Sequence, residues 1–289
     1  MDLAAVVVYE ILYTIAFLAL ISAGLAVVFG MMRVVNLAHG EFVLLGGYAA
    51  IVSHNTLGIN IFVSMLVVAP LAVAVFGVVA ERLIIRFLYG RLINTMLATW
   101  GLSLAMIGAF TLIFGPTTTS IKAPIGGFAV GDYSLSGYTV FIIASAIGVV
   151  LLIFGVLKYT RAGLIARGAM QSADMANAFG YDTSKVYMVT FAAGSALSGL
   201  AGGVLAPLVG IGPTAGLLYI AKAFITVISG GASVVSGLIA SSGFFGIVSQ
   251  AVTFATNSVI GEIGLLVAAV ILLRLLPTGI SGRFFRDRL

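Results

Sequence analysis

The 289-residue chain has no cysteine, only two histidines, a single tryptophan and few charged residues. Without cysteine it forms no disulfide, and His39 and His54 leave little for a metal site. No Gly-Lys pair occurs, which excludes a P-loop, and no Ser/His/Asp set is visible. We therefore expect no catalytic residue, no metal and no cofactor bound by this chain, which is not predicted to be an enzyme.

Charge is scarce because most of the chain is apolar. Charged residues make up 8% of the sequence and hydrophobic residues 61%, whereas a soluble domain carries about 25% charged residues. Several charge-free runs approach the roughly 20 residues of a spanning helix. They are continuous rather than alternating, which predicts helices and not a barrel. The clearest runs are Ile11–Gly30, Ile61–Ala80, Leu92–Gly115, Tyr138–Leu157 and Val186–Ala206.

The distribution of basic residues predicts the orientation. Positive charge concentrates in Glu81–Arg91, in Lys158–Lys185 and in the tail, and the positive-inside rule places all three in the cytoplasm. The N-terminus is then outside and the C-terminus cytoplasmic. Residues 207–276 supply either three crossings or one crossing and a re-entrant hairpin. We expect an all-α polytopic membrane protein of eight or nine segments, some of them broken or re-entrant. The basic tail residues are Arg283, Arg286 and Arg288.

Arg33, Asn36, His39 and Glu41 fall within nine residues between two apolar runs. Ionisable groups at membrane depth are costly and usually face protein, water or a substrate path. On one helix His39 and Glu41 point about 200° apart, whereas Asn36 and His39 share a face. Two interpretations stay open. One is a polar turn with Glu41 paired to Arg33, and the other is a discontinuous helix that contacts substrate or a partner subunit.

Another polar group lies in the middle of the run Leu92–Gly115. Thr99 and Ser103 are four residues apart and share a helical face, and Trp100 is far from either predicted interface. These residues either bridge neighbouring helices or line a polar pathway. The glycines within apolar runs have two matching interpretations, which are close helix packing and broken helices along a path.

The longest polar segment, residues 158–185, contains a predicted amphipathic helix. Leu164–Phe179 reads as this helix, and Gly180 as its C-terminal cap. A short helix on the cytoplasmic side is suited to docking a soluble subunit, although a plain interfacial connector would have the same pattern. The polar candidates on it are Arg167, Gln171, Asp174 and Asn177.

Four stretches together resemble one family, the permeases of ATP-driven importers for branched-chain amino acids, which also includes importers of urea and short amides. The resemblance is carried by Gly30–Tyr48, with its Asn-Leu-Ala-His-Gly element, by Arg167–Gly180, by Lys222–Gly237 and by the ending Pro277–Gly279. It covers almost the whole chain. It implies a single transmembrane permease domain over residues 1–289, with residues 158–185 as a cytoplasmic coupling loop.

The resemblance also implies a larger machine in a bacterial or archaeal inner membrane. A second permease, homologous or identical, would complete the pathway by alternating access. Two cytoplasmic ATPase subunits would use ATP and magnesium, and a periplasmic or lipid-anchored protein would deliver the solute. Asn36 and His39 match the polar break of the family, and branched-chain amino acids are favoured over urea or an amide.

The residues alone also fit a stand-alone secondary transporter or channel. Scattered basic residues do not suggest nucleic-acid binding.

Overall fold

The computed structural model describes residues 2–131, 133–231 and 233–284. Two of the basic tail residues used to predict the orientation, Arg286 and Arg288, lie outside the described residues. So does the side chain of Arg283, although its backbone belongs to the last helix.

Helices make up most of the described chain, together with one β-hairpin. A π-helical turn, Ser64–Val68, joins α3 to α4, and a short 3-10 turn, Ile85–Leu88, follows α4. The α-helices and strands, in chain order, are α1 (Asp2–Met32), α2 (His39–Asn55), α3 (Ile61–Val63), α4 (Ala69–Leu83), α5 (Leu92–Phe114), β1 (Gly127–Val130), β2 (Tyr133–Ser136), α6 (Tyr138–Tyr159), α7 (Arg161–Gln171), α8 (Ala173–Ala178), α9 (Thr183–Val209), α10 (Gly216–Gly230), α11 (Val234–Ala255), α12 (Ser258–Leu275) and α13 (Gly279–Phe284).

Seven helices of the described chain are long and apolar enough to cross a membrane, which confirms an all-α polytopic membrane protein. In a bilayer core the backbone must satisfy its own hydrogen bonds, and a continuous helix does so. The helices α2 and α10 are shorter, with 17 and 15 residues. At 1.5 Å per residue, α10 is about 22 Å long, less than the roughly 30 Å hydrocarbon core. The number of crossings and the orientation of the termini stay predictions.

Three local features refine these expectations. The apolar stretch after Arg33 becomes helical only at His39, because the chain is non-helical over residues 33–38. The polar loop before α6 contains an antiparallel hairpin in which Gly127 pairs with Ser136. Residues 207–276, for which three crossings or one crossing and a re-entrant hairpin were expected, contain α10, α11 and α12, with Gly231 at φ +85° in the break between the first two.

The chain divides into two compact units. The first comprises Met1–Ser22, Lys122–Val150 and Lys222–Leu289, and the second Ala23–Ile121 and Leu151–Ala221. In the first unit, the Lys222 ammonium lies 2.6 Å from the Glu262 carboxylate, and α11 packs against α12.

In the second unit, α9 packs tightly against α2 and α4 through small residues. A Cβ added at Gly202 would lie 1.7 Å from the carbonyl oxygen of Val43, and one at Gly46 would lie 2.3 Å from the oxygen of Gly199. Backbone atoms are therefore in direct contact across the α2–α9 interface. Close helix packing is confirmed for these glycines.

This interface predicts a strong asymmetry between two glycine substitutions. Gly202→Ala would place its methyl group on the backbone of Val43, so α2 and α9 must separate, and we expect a loss of about 1–3 kcal/mol of stability. Gly101→Ala in α5 has no atom within 4 Å of the new Cβ and should be neutral or slightly stabilising. Thermal unfolding in detergent measures both. Equal melting temperatures for the two variants would contradict the packing.

Candidate functional site

The break between α1 and α2 is the feature that brings polar groups into the second unit. The helix α1 ends at Met32, and Arg33 adopts φ +51°, a conformation uncommon for residues other than glycine. Helical hydrogen bonding resumes where the Phe42 N–H donates to the Ala38 carbonyl, at 3.1 Å. Both ends of the break thus leave backbone groups that side chains must satisfy.

Asn36 and Thr99 satisfy the backbone of this break. The Asn36 Oδ1 accepts from the Ala38 N–H at 3.0 Å, and the Thr99 hydroxyl oxygen accepts from the Leu37 N–H at 3.0 Å. Both side chains are buried. Asn36 does not share a helical face with His39, because it lies outside the helix. The chain is therefore non-helical between α1 and α2, and α5 contributes a group that stabilises this break.

The polar residues of α5 are sorted between its two faces. Thr99 and Ser103 are buried on one face, whereas Trp100 is 54% exposed on the other. The structure brings Thr99 to the helix break and Ser103 to Glu41 in the first turn of α2, and it brings Trp100 to neither. The bridging interpretation holds for Thr99, since its hydroxyl links α5 to the break.

His39 faces α9. Its Nδ1 lies 3.3 Å from the hydroxyl oxygen of Ser198, and that hydroxyl donates to the Gly194 carbonyl at 2.9 Å. Because the hydroxyl has one hydrogen, it accepts from an Nδ1–H, which is the tautomer that fits both contacts. The imidazole is 2% exposed. His39 therefore joins the start of α2 to the middle of α9.

Glu41 is fully buried, and neither carboxylate oxygen has a hydrogen-bond partner among the described residues. The hydroxyl of Ser103 is a neighbour of this carboxyl group but has no hydrogen-bond partner either. On another side, a Cβ added at Gly216 would lie 2.8 Å from Glu41 Oε1. Arg33 is exposed and forms no ion pair with Glu41. The expected pairing of Glu41 with Arg33 is therefore wrong.

The separation of His39 and Glu41 follows the helical spacing. One faces α9, and the other faces α10 and the serine of α5, as expected for residues about 200° apart. The sequence analysis did not identify Ser198 as a site residue. Its position in the small-residue run Ser195–Gly203 was the feature that could have indicated it. Nor was it predicted that Glu41 is unpaired, which depends on where α5 and α10 lie.

The predicted docking helix is two helices. The chain turns at Ser172, with φ −155° and ψ 108°, so α7 ends at Gln171 and α8 begins at Ala173. The Ser172 hydroxyl accepts from the Met175 N–H at 3.3 Å and caps α8. Gly180, at φ +86°, follows the end of α8 as predicted. The helix Leu164–Phe179 was thus wrong as one element but right in its C-terminal boundary.

One stripe along α7 and α8 is exposed to solvent, and it is formed by the four residues named at the end of this paragraph. The side chain of Arg167, next to this stripe, is half-buried. Asp174 is exposed, whereas the Asn177 Oδ1 accepts from the Thr183 N–H at 3.2 Å and so joins α8 to α9. The stripe consists of Leu164, Gly168, Gln171 and Met175.

Asp182 caps the N-terminus of α9. Its carboxylate accepts from the backbone N–H groups of Ser184 at 3.1 Å and Lys185 at 3.3 Å. The Lys185 N–H, and then the ammonium of that lysine at 3.4 Å, hold the pKa of Asp182 below its usual range. The capped start of α9 and the Asn177 contact together fix α8 against the long helix.

Spanning helices, a discontinuous helix and buried polar groups define a multi-pass membrane protein with an internal polar site. The family described as "Branched-chain amino acid transport system / permease component" matches residues 7–276. The chain belongs to this family. It is a transport component and a multi-pass protein of the inner membrane.

Relatives extend over nearly the full chain. A probable branched-chain amino acid transport permease protein LivH of Methanocaldococcus jannaschii is 28% identical, covering 92% of this chain and 88% of that protein. The high-affinity branched-chain amino acid transport system permease proteins BraD of Pseudomonas aeruginosa and LivH of Escherichia coli are 27% and 26% identical, each covering 92% of this chain and 91% of the relative.

Among solved structures, PsaBC from Streptococcus pneumoniae in complex with Fab is similar to this chain with a TM-score of 0.49 at 16% identity. The match covers 97% of this chain and 94% of that chain. At this TM-score the likeness does not establish a common fold.

Substitutions at Glu41 test whether its carboxylate is unpaired. Glu41→Gln keeps the shape and removes the ionisable group, so a desolvation penalty that no partner offsets disappears. We expect an unchanged or higher melting temperature. Glu41→Ala also loses the packing on Gly216 and should cost about 1–3 kcal/mol. A glutamine variant that unfolds as early as the alanine variant would show that the carboxylate has a partner.

Proposed function

We propose that this chain is the permease subunit of an ATP-driven importer of branched-chain amino acids. Support comes from the family match and from relatives whose names specify branched-chain amino acid transport. These relatives favour the importer over a stand-alone secondary transporter or channel. Urea or a short amide is the competing substrate, and the uptake experiment below distinguishes it from branched-chain amino acids.

The observation that carries the proposal is the discontinuous α1–α2 pair with its buried polar groups. Transporters bind anionic groups at the N-termini of broken helices, where N–H groups and the helix dipole favour negative charge. The start of α2 offers such an end for a substrate carboxylate, and Glu41 offers an unpaired acceptor for an ammonium group. Asn36, His39, Thr99 and Ser103 form the proposed pathway wall.

Trp100 belongs to the pathway only if a second permease chain covers its exposed face of α5. We therefore assign it to the surface that meets this second chain, which is homologous or identical. We assign both compact units to a single permease domain over residues 1–289. A periplasmic or lipid-anchored protein delivers the solute to it.

Residues 158–185 act as the cytoplasmic coupling loop in this proposal. The exposed stripe on α7 and α8 and the exposed Asp174 suit a partner surface, and Asn177 and the turn at Gly180 anchor α8 to α9. One of the two ATPase subunits docks there, and both use ATP and magnesium, for which no site is proposed on this chain. Their closure moves α7 and α8, and the permease pair alternates access.

The test is reconstitution of the chain with its co-purifying subunits in liposomes. ATP-dependent uptake of leucine, isoleucine or valine, raised by the loaded binding protein, is the expected result. Uptake of urea or an amide instead would keep the importer and replace the substrate. Uptake driven by an ion gradient without any ATPase subunit would overturn the proposal. Glu41→Gln, if stable, separates a pathway role from packing, because only the former lowers uptake.

Charge reversal in the coupling loop should uncouple hydrolysis from uptake. Arg167→Glu and Asp174→Lys change the proposed docking surface while leaving the cap at Asp182 in place. We expect uptake per ATP hydrolysed to fall about 5- to 150-fold, the usual range of coupling free energies. Lys122→Glu, in the loop before β1, is the matched control. Coupled uptake that survives both changes would refute the docking assignment.

A further inference from the structure

A cavity of about 480 Å³ lies within the second unit, among α1, α6, α7 and α9. Val27 and Met31 line it from α1, Ile153 and Val156 from α6, and Val189 and Ala193 from α9. Its volume is in the range of ligand sites. Three of its walls belong to helices long and apolar enough to span a membrane, and the fourth is α7.

The lining presents almost no polar group. Thr190 contributes to it, but its hydroxyl donates to the Val186 carbonyl at 2.8 Å and so turns back onto its own helix. An amino acid or any other hydrophilic solute would leave its hydrogen bonds unmade here. The cavity is therefore separate from the polar site at the helix break, and it fits an apolar occupant.

One basic residue distinguishes this cavity from a plain apolar void. Lys185 is among the lining residues, and its ammonium lies 3.4 Å from Asp182 and forms no other ion pair among the described residues; the two side chains are 78% and 51% exposed. Such an exposed pair contributes little, so the lysine is free to bind another anion. Between Lys158 and Lys185 the chain carries four basic and two acidic residues.

We propose that this cavity holds one acyl chain of an anionic phospholipid whose phosphate binds Lys185. Lipid tails gain no hydrophobic free energy by leaving the bilayer for a protein surface. Two other contributions retain this lipid. Its chain restores the dispersion contacts that an empty cavity lacks, and basic residues beside transmembrane helices bind anionic headgroups.

The site is in contact with the segment assigned to coupling. Gly163, where α6 turns into α7, lines the cavity, and a Cβ there would lie 2.2 Å from the Val156 carbonyl oxygen. The first turn of α7 is thus packed closely against the end of α6, and α7 forms one wall of the cavity. A bound lipid supports α7 from the membrane side. This consequence rests on the proposed function, whereas the binding of the lipid does not.

The absence of cysteine in the native chain allows a direct test. Ala193→Cys provides a unique thiol for a photo-crosslinker, applied to the full chain purified in detergent with bulk lipid removed. We expect a phospholipid adduct after addition of phosphatidylglycerol and far less after phosphatidylcholine. Ala105→Cys, on an exposed face of α5 outside the cavity, should give neither. An adduct with a peptide would show that a protein segment fills the cavity and would overturn the proposal.

Two kinds of variant then separate the tail from the headgroup. Ala193→Phe, or the smaller Ala196→Leu if the first does not fold, fills the cavity and should abolish lipid retention measured by mass spectrometry. Lys185→Gln should lower the ratio of retained phosphatidylglycerol to phosphatidylcholine about fivefold, as expected for one lysine near a lipid surface. Arg82→Gln, on an exposed site elsewhere, should not. Equal retention in the native chain and the filled variants would overturn the proposal, whatever solute the complex transports.

Discussion

The structure depends on one constraint, which is that backbone polar groups in a bilayer have no water to bind. The long helices meet this constraint by themselves, and the break between α1 and α2 cannot. There the side chains of Asn36 and Thr99 accept the freed backbone hydrogens. The position of α5 is thereby tied to the break, because its threonine is needed 62 residues away in sequence.

Close packing is the second consequence of the same environment. Helices in lipid gain little hydrophobic free energy from association, so contact must come from shape. Gly46, Gly199 and Gly202 bring the backbones of α2 and α9 together. This contact places His39 beside Ser198. The carboxyl group of Glu41 is buried in this interior without a hydrogen-bond partner among the described residues, and ionisable groups at membrane depth often mark functional sites.

Much of the fold was predictable because apolar length and glycine content are local properties. The helices at Leu92, Tyr138 and Thr183 begin within a few residues of the predicted runs. One wrong prediction concerned contacts between distant elements. Glu41 was expected to pair with Arg33 because the two are close in sequence, whereas its carboxyl group faces α5 and α10. The sequence pattern also predicted one continuous helix over Leu164–Phe179, but Ser172 caps a second helix and so divides the segment in two.

The class of protein, the family resemblance and the positions of the polar residues within the apolar chain could all be predicted from the amino-acid sequence. They depend on composition and on local motifs, which every conformation shares. The contacts of these residues depend on the tertiary structure. Thr99 became a cap for a distant backbone group, Trp100 was left exposed, and the apolar cavity formed between helices that no pattern joins. Such contacts depend on the relative placement of elements far apart in the chain, which is decided by packing and not by local propensity.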